Sequence, residues 1–240
     1  MIQSLNDIPL VVLAGGQGSR LKELGAQKPK YLMPLSDKLC FADIHLNWIQ
    51  KQGFKKVILA VGKFSEQIED YCQDGRKWNL EIKYSSDGPA LAGTGGALKK
   101  ALSDSQFEWA AFTYGDTLLE LNCFDIFKKA QLANPLVCMT IYENKVPGHI
   151  CNVQILENGG LEYSKSHPQA HWRWIDYGFS FFRKEFLNHF ESKLPLDLAE
   201  PLETVSKSRK LQGHLVTERF WEIGSPEALL EFQKRFSNLT

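Results

Sequence analysis

Four apolar runs, each the length of one strand, recur along the first half of the chain with a helix-length segment between successive runs. Residues 8–14 (IPLVVLA) and 55–62 (KKVILAVG) are almost continuously apolar, residues 80–86 (LEIKYSS) alternate, and residues 108–116 (EWAAFTYGD) end on Gly-Asp. A continuous apolar run suits a strand covered on both faces. Between the runs, Phe41, Ile44, His45, Trp48 and Ile49 recur at helical spacing before Gly53. Residues 64–74 read as a second helix with Ser65 as its N-cap, and residues 95–104 as a third, opened by glycines. Strand, helix, strand in this order predicts a parallel sheet with crossover helices. Ligands of such sheets sit beyond the carboxyl ends of the strands. Two turns fall there: Gly15-Gly16 and Tyr114-Gly115-Asp116.

The second half reads differently. Residues 135–144, 151–165 and 174–186 suggest strands and hairpins, with Asn158-Gly159 as a turn. Residues 225–236 predict a closing helix with Ser225 as N-cap and Pro226 at the first position. The whole, residues 1–240, is expected to be one α/β domain with a mixed sheet. Its first half, about residues 1–120, should hold one ligand and its second half, about residues 121–240, another.

Bulk properties remove several classes. Lys plus Arg number 28 and Asp plus Glu number 28, so no net field draws the chain to nucleic acid or an anionic membrane. Any anion site must be local. The apolar stretch near the N-terminus lacks a basic leader and reads as a first strand, and no apolar run approaches the ~18 residues of a membrane span. Five scattered cysteines form no CxxC pair, which suits reduced thiols in a cytoplasmic protein. The six histidines show no metal-ligand spacing.

Gly15, Gly16 and Gly18 follow the first strand, with Ser19, Arg20 and Lys30 close behind. Glycines let main-chain N–H groups approach a ligand, and successive amides in such a turn form an anion nest. The guanidinium of Arg20 adds a planar fork for phosphate oxygens, and Lys30 a point charge. The Walker pattern GxxxxGK[ST] is absent, and Leu21 stands where a dinucleotide fingerprint needs its third glycine.

The motifs "LAGGQGSRL", "KPKYLMPL", "GTGGAL", "YGDT" and "FWEIGSPEAL", in this order, resemble the sugar-1-phosphate nucleotidyltransferases, also called nucleotide-sugar pyrophosphorylases. The likeness spans nearly the whole chain and is nearest to bacterial heptose or mannose 1-phosphate guanylyltransferases and muramate 1-phosphate uridylyltransferases. It implies a Rossmann-like, mixed, mostly parallel sheet flanked by helices. It also implies an enzyme that transfers a nucleoside monophosphate from an NTP to a sugar 1-phosphate and releases pyrophosphate, with Mg²⁺ as cofactor.

The resemblance assigns roles by residue. Leu13, Ala14, Gly15, Gly16, Gly18, Ser19 and Arg20 would bind the nucleotide, the three glycines and Ser19 cradling the triphosphate and Arg20 holding the β- and γ-phosphates and steadying the leaving pyrophosphate. Lys30 would bridge the α-phosphate and the attacking phosphate, with Lys28 as the fallback. Gly88, Gly93 and Thr94 would lie near base and ribose, and the helix opened by Gly95 and Gly96 would present its N-terminus to polar or anionic groups. Asp116 and Glu222 would hold Mg²⁺, Glu222 standing where relatives carry Asp. Arg20, Lys30 and Asp116 are thus the expected catalytic residues. Lys165, Asp176 and Gly178 would contact the sugar phosphate. Asp176 stands where relatives commonly carry Asn and Tyr177 replaces a small residue, which predicts a bulkier, more acidic pocket and a sugar bearing an amino group. Tyr31, after Lys30, also departs from the family pattern.

The expected partners are an NTP and a sugar 1-phosphate, with no nucleic acid and no membrane, and a homodimer is the assembly to test. Two other readings stay open. One is a non-catalytic nucleotide-sugar-binding protein, favoured by Glu222, Tyr31 and the altered sugar strand. The other is a nucleotidyltransferase for a non-sugar phosphate such as phosphocholine or molybdopterin.

Overall fold

In the computed structural model, which describes residues 4–16, 28–88, 91–145 and 150–236, the four apolar runs become strands β1 (Leu10–Leu13), β2 (Lys56–Val61), β3 (Glu81–Ser86) and β4 (Trp109–Tyr114). β1 lies between β2 and β4, parallel to both, with Leu10 opposite Val57 on one side and Ala111 on the other. All four of its residues are buried, which is why its sequence is a continuous run and not an alternation.

A long strand, β9 (Trp174–Arg183), joins this parallel block antiparallel to β4. On its other side lies β6 (Val137–Glu143), followed by β10 (Leu211–Val216), giving the order β10-β6-β9-β4-β1-β2-β3. Within that path β9 alone runs against the others. The expected hairpin forms as β7 (Val153–Ile155) and β8 (Leu161–Tyr163), with Gly159 at φ +78° and the Asn158 Oδ1 accepting from Gly160 N. A separate two-stranded ladder pairs β5 (Thr117–Leu118) with β11 (Trp221–Glu222).

Helices cover both faces. On one side, α1 (Phe41–Lys51), α2 (Ser65–Cys72), α4 (Cys123–Ala133) and α6 (Pro226–Phe236) pack on Leu10 and Val12 through Phe41, Leu46, Ile68, Phe127 and Phe232. On the other, α3 (Gly93–Ala101) and α5 (Ala199–Lys207) pack on Val11 and Leu13 through Leu98, Leu202 and Val205. No helix among the described residues is long and apolar enough to cross a membrane.

Local capping confirms one expectation and corrects another. Ser225 Oγ accepts from Ala228 N at 3.2 Å, capping α6 with Pro226 as its first residue. Ser65 is not a cap but the first helical residue of α2. Phe64 occupies the N-cap position and supplies no side-chain acceptor. Helices α4 and α5, strand β10 and the β5/β11 ladder were not expected from the sequence.

Candidate active site

The carboxyl ends of β1, β3 and β4 open on one cleft of about 280 Å³, lined among others by Gly15, Gly16, Lys30, Asp87, Gly93, Thr94, Tyr114 and Asp116. The strand tips there touch backbone to backbone. Gly115 N donates to Leu13 O at 3.0 Å, and a Cβ on Gly115 would lie 2.9 Å from Ala14 Cα. A side chain at residue 115 would separate the two turns that the sequence placed together.

Lys30 reaches this floor from a 3-10 turn, residues Lys30–Leu32. Its Nζ lies 3.0 Å from Asp116 Oδ2, and the pair is mostly shielded from solvent, Lys30 being 12% and Asp116 29% exposed. Asp116 Oδ1 accepts from Thr117 Oγ1 at 3.1 Å. Tyr31 has a role that the sequence did not suggest. It is 1% exposed, packs edge-on against Phe41 and His45, and its hydroxyl lies 3.3 Å from His45 Nδ1. Burial drives the His45 pKa down to about 3, so the imidazole is neutral. Tyr31 thus pins into the core the turn that presents Lys30, and the departure from pattern at this position faces the interior.

Glu222 is brought next to Asp116 by the short ladder. Glu222 pairs with Thr117, and Ile223 N donates to Asp116 O at 3.0 Å. Among the described residues no three His, Cys, Asp or Glu side chains converge as a metal cage. Asp116 lines the cleft, and its hard carboxylate oxygens are donors of the kind that suit Mg²⁺, which keeps waters and takes much of its shell from substrate phosphates.

The N-terminus of α3 needs correction. The N–H groups of Gly95 and Gly96 both donate to Leu196 O, at 2.9 and 3.3 Å, so they are not available to a ligand. Gly93, at φ +76°, has the Leu196 backbone where a Cβ would stand, which restricts the position to glycine. Gly93 and Thr94 do line the cleft. Gly88, at φ +81°, turns the chain at the end of β3 with open space on its Cβ side.

The second half brings its own cluster to the same end. Asp197 is its hub, although no sequence signal marks it. Its Oδ2 binds Lys165 Nζ at 2.5 Å, and its Oδ1 accepts from Ala199 N at 3.0 Å and Thr94 Oγ1 at 3.4 Å. Thr94 Oγ1 in turn accepts from Leu198 N at 2.9 Å. Burial works to raise the Asp197 pKa, but Lys165, the Ala199 N–H and Thr94 outweigh it, and the carboxyl sits below the usual range.

Asp176 stands at a break in the β6/β9 register, between the pairs Ile141–Asp176 and Met139–Ser180. Gly178 occupies φ +97° in this bulge, and its N–H donates to Asp176 Oδ1 at 2.9 Å. A Cβ on Gly178 would lie 3.3 Å from the Tyr114 ring, so Tyr114 packs directly over the bulge. Burial pushes the Asp176 pKa up to about 6 in spite of the Gly178 N–H and the Lys165 charge. Tyr177 does not add bulk beside it. Its ring is buried with Tyr142 and Phe220, and its hydroxyl accepts from Glu120 N. Gly18, Ser19 and Arg20 lie outside the described residues.

A family model described as nucleotidyl transferase matches residues 10–238. The chain belongs to the nucleotidyl transferase family. This transferase is 28% identical over 222 residues to the D-glycero-alpha-D-manno-heptose 1-phosphate guanylyltransferase of Campylobacter jejuni, across 92% of this chain and 97% of that protein. It is 22% identical to the N-acetylmuramate alpha-1-phosphate uridylyltransferase of Neisseria meningitidis, across 93% and 96%. A crystal structure of HddC from Yersinia pseudotuberculosis, complexed with GMP-PN, shares the fold. Its TM-score is 0.79 at 21% identity, covering 95% of this transferase and 99% of that chain.

Proposed function

We propose that this transferase moves a nucleoside monophosphate from an NTP to a sugar 1-phosphate and releases pyrophosphate, in a Mg²⁺-dependent reaction. The observation that carries the reading is the Lys30–Asp116 pair at the tips of β1 and β4. A cation for phosphate and a carboxylate for a metal lie 3.0 Å apart in one shielded cleft. The relatives named for heptose 1-phosphate and N-acetylmuramate 1-phosphate support a sugar phosphate as acceptor. The HddC complex with GMP-PN, a structure of the same fold, supports a nucleotide as the other substrate. Four of the five unpaired cysteines are buried, which suits the cytoplasm to which we assign the protein.

A phosphate oxygen of the sugar phosphate attacks the α-phosphorus, and the bond from the α-phosphorus to the pyrophosphate oxygen breaks. No proton has to be moved, because the nucleophile is already ionised. The barrier is repulsion between two anions together with their alignment. The Gly15 and Gly16 backbone offers N–H groups to the triphosphate at the tip of β1, and Arg20 is assigned to the leaving pyrophosphate. Lys30, released from Asp116, bridges the two phosphates, while Asp116 and Glu222 would hold the metal. Mg²⁺, when bound, neutralises phosphate charge and polarises the α-phosphorus. Lys165 and the Asp176–Gly178 bulge are assigned to the sugar phosphate.

Four NTPs assayed against a panel of sugar 1-phosphates, with pyrophosphate as the readout, test the proposal. Release that requires both substrates and is lost on chelation supports it. Tight nucleotide or nucleotide-sugar binding with no release from any pair would leave a binding protein instead.

A further inference from the structure

Asp87 follows the last residue of β3 and lines the cleft. Its Oδ2 accepts the N–H of Ala92 at 3.1 Å, which fixes the carboxylate across the loop leading into α3. Its Oδ1 is buried and has no hydrogen-bond partner among the described residues. Native structures rarely leave such an oxygen unpaired, because its desolvation is uncompensated. Burial raises the Asp87 carboxyl above its ordinary range, against the Ala92 N–H and the Lys100 charge. The site therefore lacks a donor.

The cleft around it is apolar. Leu13, Ala60, Leu91 and Ala97 form wall between the Gly15 turn and α3, and Leu91 is left 43% exposed. Apolar walls suit the faces of a nucleobase, and a buried acceptor suits an edge rich in donors. The bases differ on that edge. Guanine presents N1–H and N2–H side by side. Uracil and thymine place one N–H between two carbonyl oxygens, whose lone pairs would face the carboxylate. Adenine N1 and cytosine N3 are acceptors.

We propose that Asp87 is the base-reading residue and that it selects a guanine nucleotide, N1–H and N2–H donating to the carboxylate while Oδ2 keeps the Ala92 N–H. The inference rests on the nucleotidyltransferase reading above and narrows its donor substrate to GTP.

Equilibrium binding of GTP, inosine 5′-triphosphate, ATP, UTP and CTP to the full chain, with Mg²⁺, reads the base directly and needs no turnover. GTP should bind tightest, and inosine triphosphate, which lacks N2–H, about tenfold less tightly. Asp87→Asn keeps a carbonyl for Ala92 N–H but puts an NH₂ in place of an acceptor. It should weaken GTP by about 10- to 100-fold and leave UTP and ATP within about twofold. UTP or ATP binding as tightly as GTP to the unaltered protein would overturn the proposal, as would equal binding of GTP and inosine triphosphate. So would an Asp87→Asn loss of the same size for every nucleotide, which would move the carboxylate to the ribose or the loop. The inosine comparison uses no variant and stands even if Asp87→Asn misfolds. Pyrophosphate release on the same preparation separates the two readings. Release with UTP in place of GTP ends the Asp87 assignment alone. A GTP preference in binding with no release from any sugar 1-phosphate supports the base reading and ends the transferase one.

Discussion

Lys30 Nζ and Asp116 Oδ2 lie 3.0 Å apart although 86 residues separate them in the chain. The cation suited to a phosphate and the carboxylate suited to a metal neutralise each other across the tips of two adjacent strands. A second such pair, Lys165 with Asp197, lies in the other half of the chain. Under the proposed function each lysine would exchange its carboxylate for phosphate when substrate binds.

Asp116→Asn should therefore separate chemistry from folding. Thr117 Oγ1 retains an acceptor, and leaving the mostly shielded Lys30 beside a neutral amide should cost about 1–3 kcal/mol of stability. Turnover should fall about 100-fold or more, because charge on the transferring phosphoryl group is no longer balanced. Pyrophosphate release and thermal unfolding on one preparation check this, and near-normal turnover would remove Asp116 from the metal assignment.

Gly115→Ala tests how tightly the strand tips must approach. The new Cβ would stand 2.9 Å from Ala14 Cα, a contact that a rigid backbone cannot relieve cheaply. The expected cost is about 1–3 kcal/mol, read as a lower Tm. Because Ala14 leads directly into Gly15 and Gly16, KM for the NTP should rise as well. A variant with unchanged Tm and KM would show that the two turns move independently.

The first half of this arrangement was legible because β1, β2 and β4 are buried on both faces and spell out continuous apolar runs, while the edge strand β3 alternates. The short β5/β11 ladder was not, since two residues carry no periodicity. β10 is an edge strand whose burial alternates imperfectly around Gly213, and α5 carries Pro201 in its first turn, where a missing N–H costs nothing but masks the helix. Tyr31 shows the reverse case: a residue that breaks the family pattern beside a candidate catalytic lysine, yet points into the core. Asp197 was invisible for another reason. Its partner Thr94 is 103 residues away, and only the folded chain sets them side by side.

Asp176 gives a pH signature. Burial raises its folded pKa from 3.8 to about 6, so the folded state holds the proton more tightly than the unfolded one. Its contribution to stability is full below pH ~4 and is lost as pH rises through ~6. Asp176→Asn removes the charge but keeps an acceptor for Gly178 N–H. At pH 7.5 it should raise stability by up to about 3 kcal/mol, with the gain vanishing near pH 4. Denaturant midpoints across that range check the sign, and a constant difference would show that Asp176 is ordinarily ionised. If Asp176 also contacts the sugar, the same variant should blur discrimination between amino- and hydroxy-sugars.

Asp197 joins the two halves, and that junction is testable as a coupling. Asp197→Ala strips Lys165 of its carboxylate and Thr94 of an acceptor, while Ala199 N loses its cap. The lysine would then be held by no fixed geometry, and KM for the sugar 1-phosphate should rise about tenfold, since one charge-assisted contact loses its alignment. Asp197→Asn keeps an oxygen for Ala199 N and Thr94 and should fall between. If the carboxylate transmits position from Thr94 to Lys165, the double variant Thr94→Val with Lys165→Ala should depart from additivity by more than about 0.5 kcal/mol in kcat/KM, and that departure should vanish in the Asp197→Ala background. Full additivity with Asp197 present would reduce the residue to a cap on α5, with no part in aligning the two substrates.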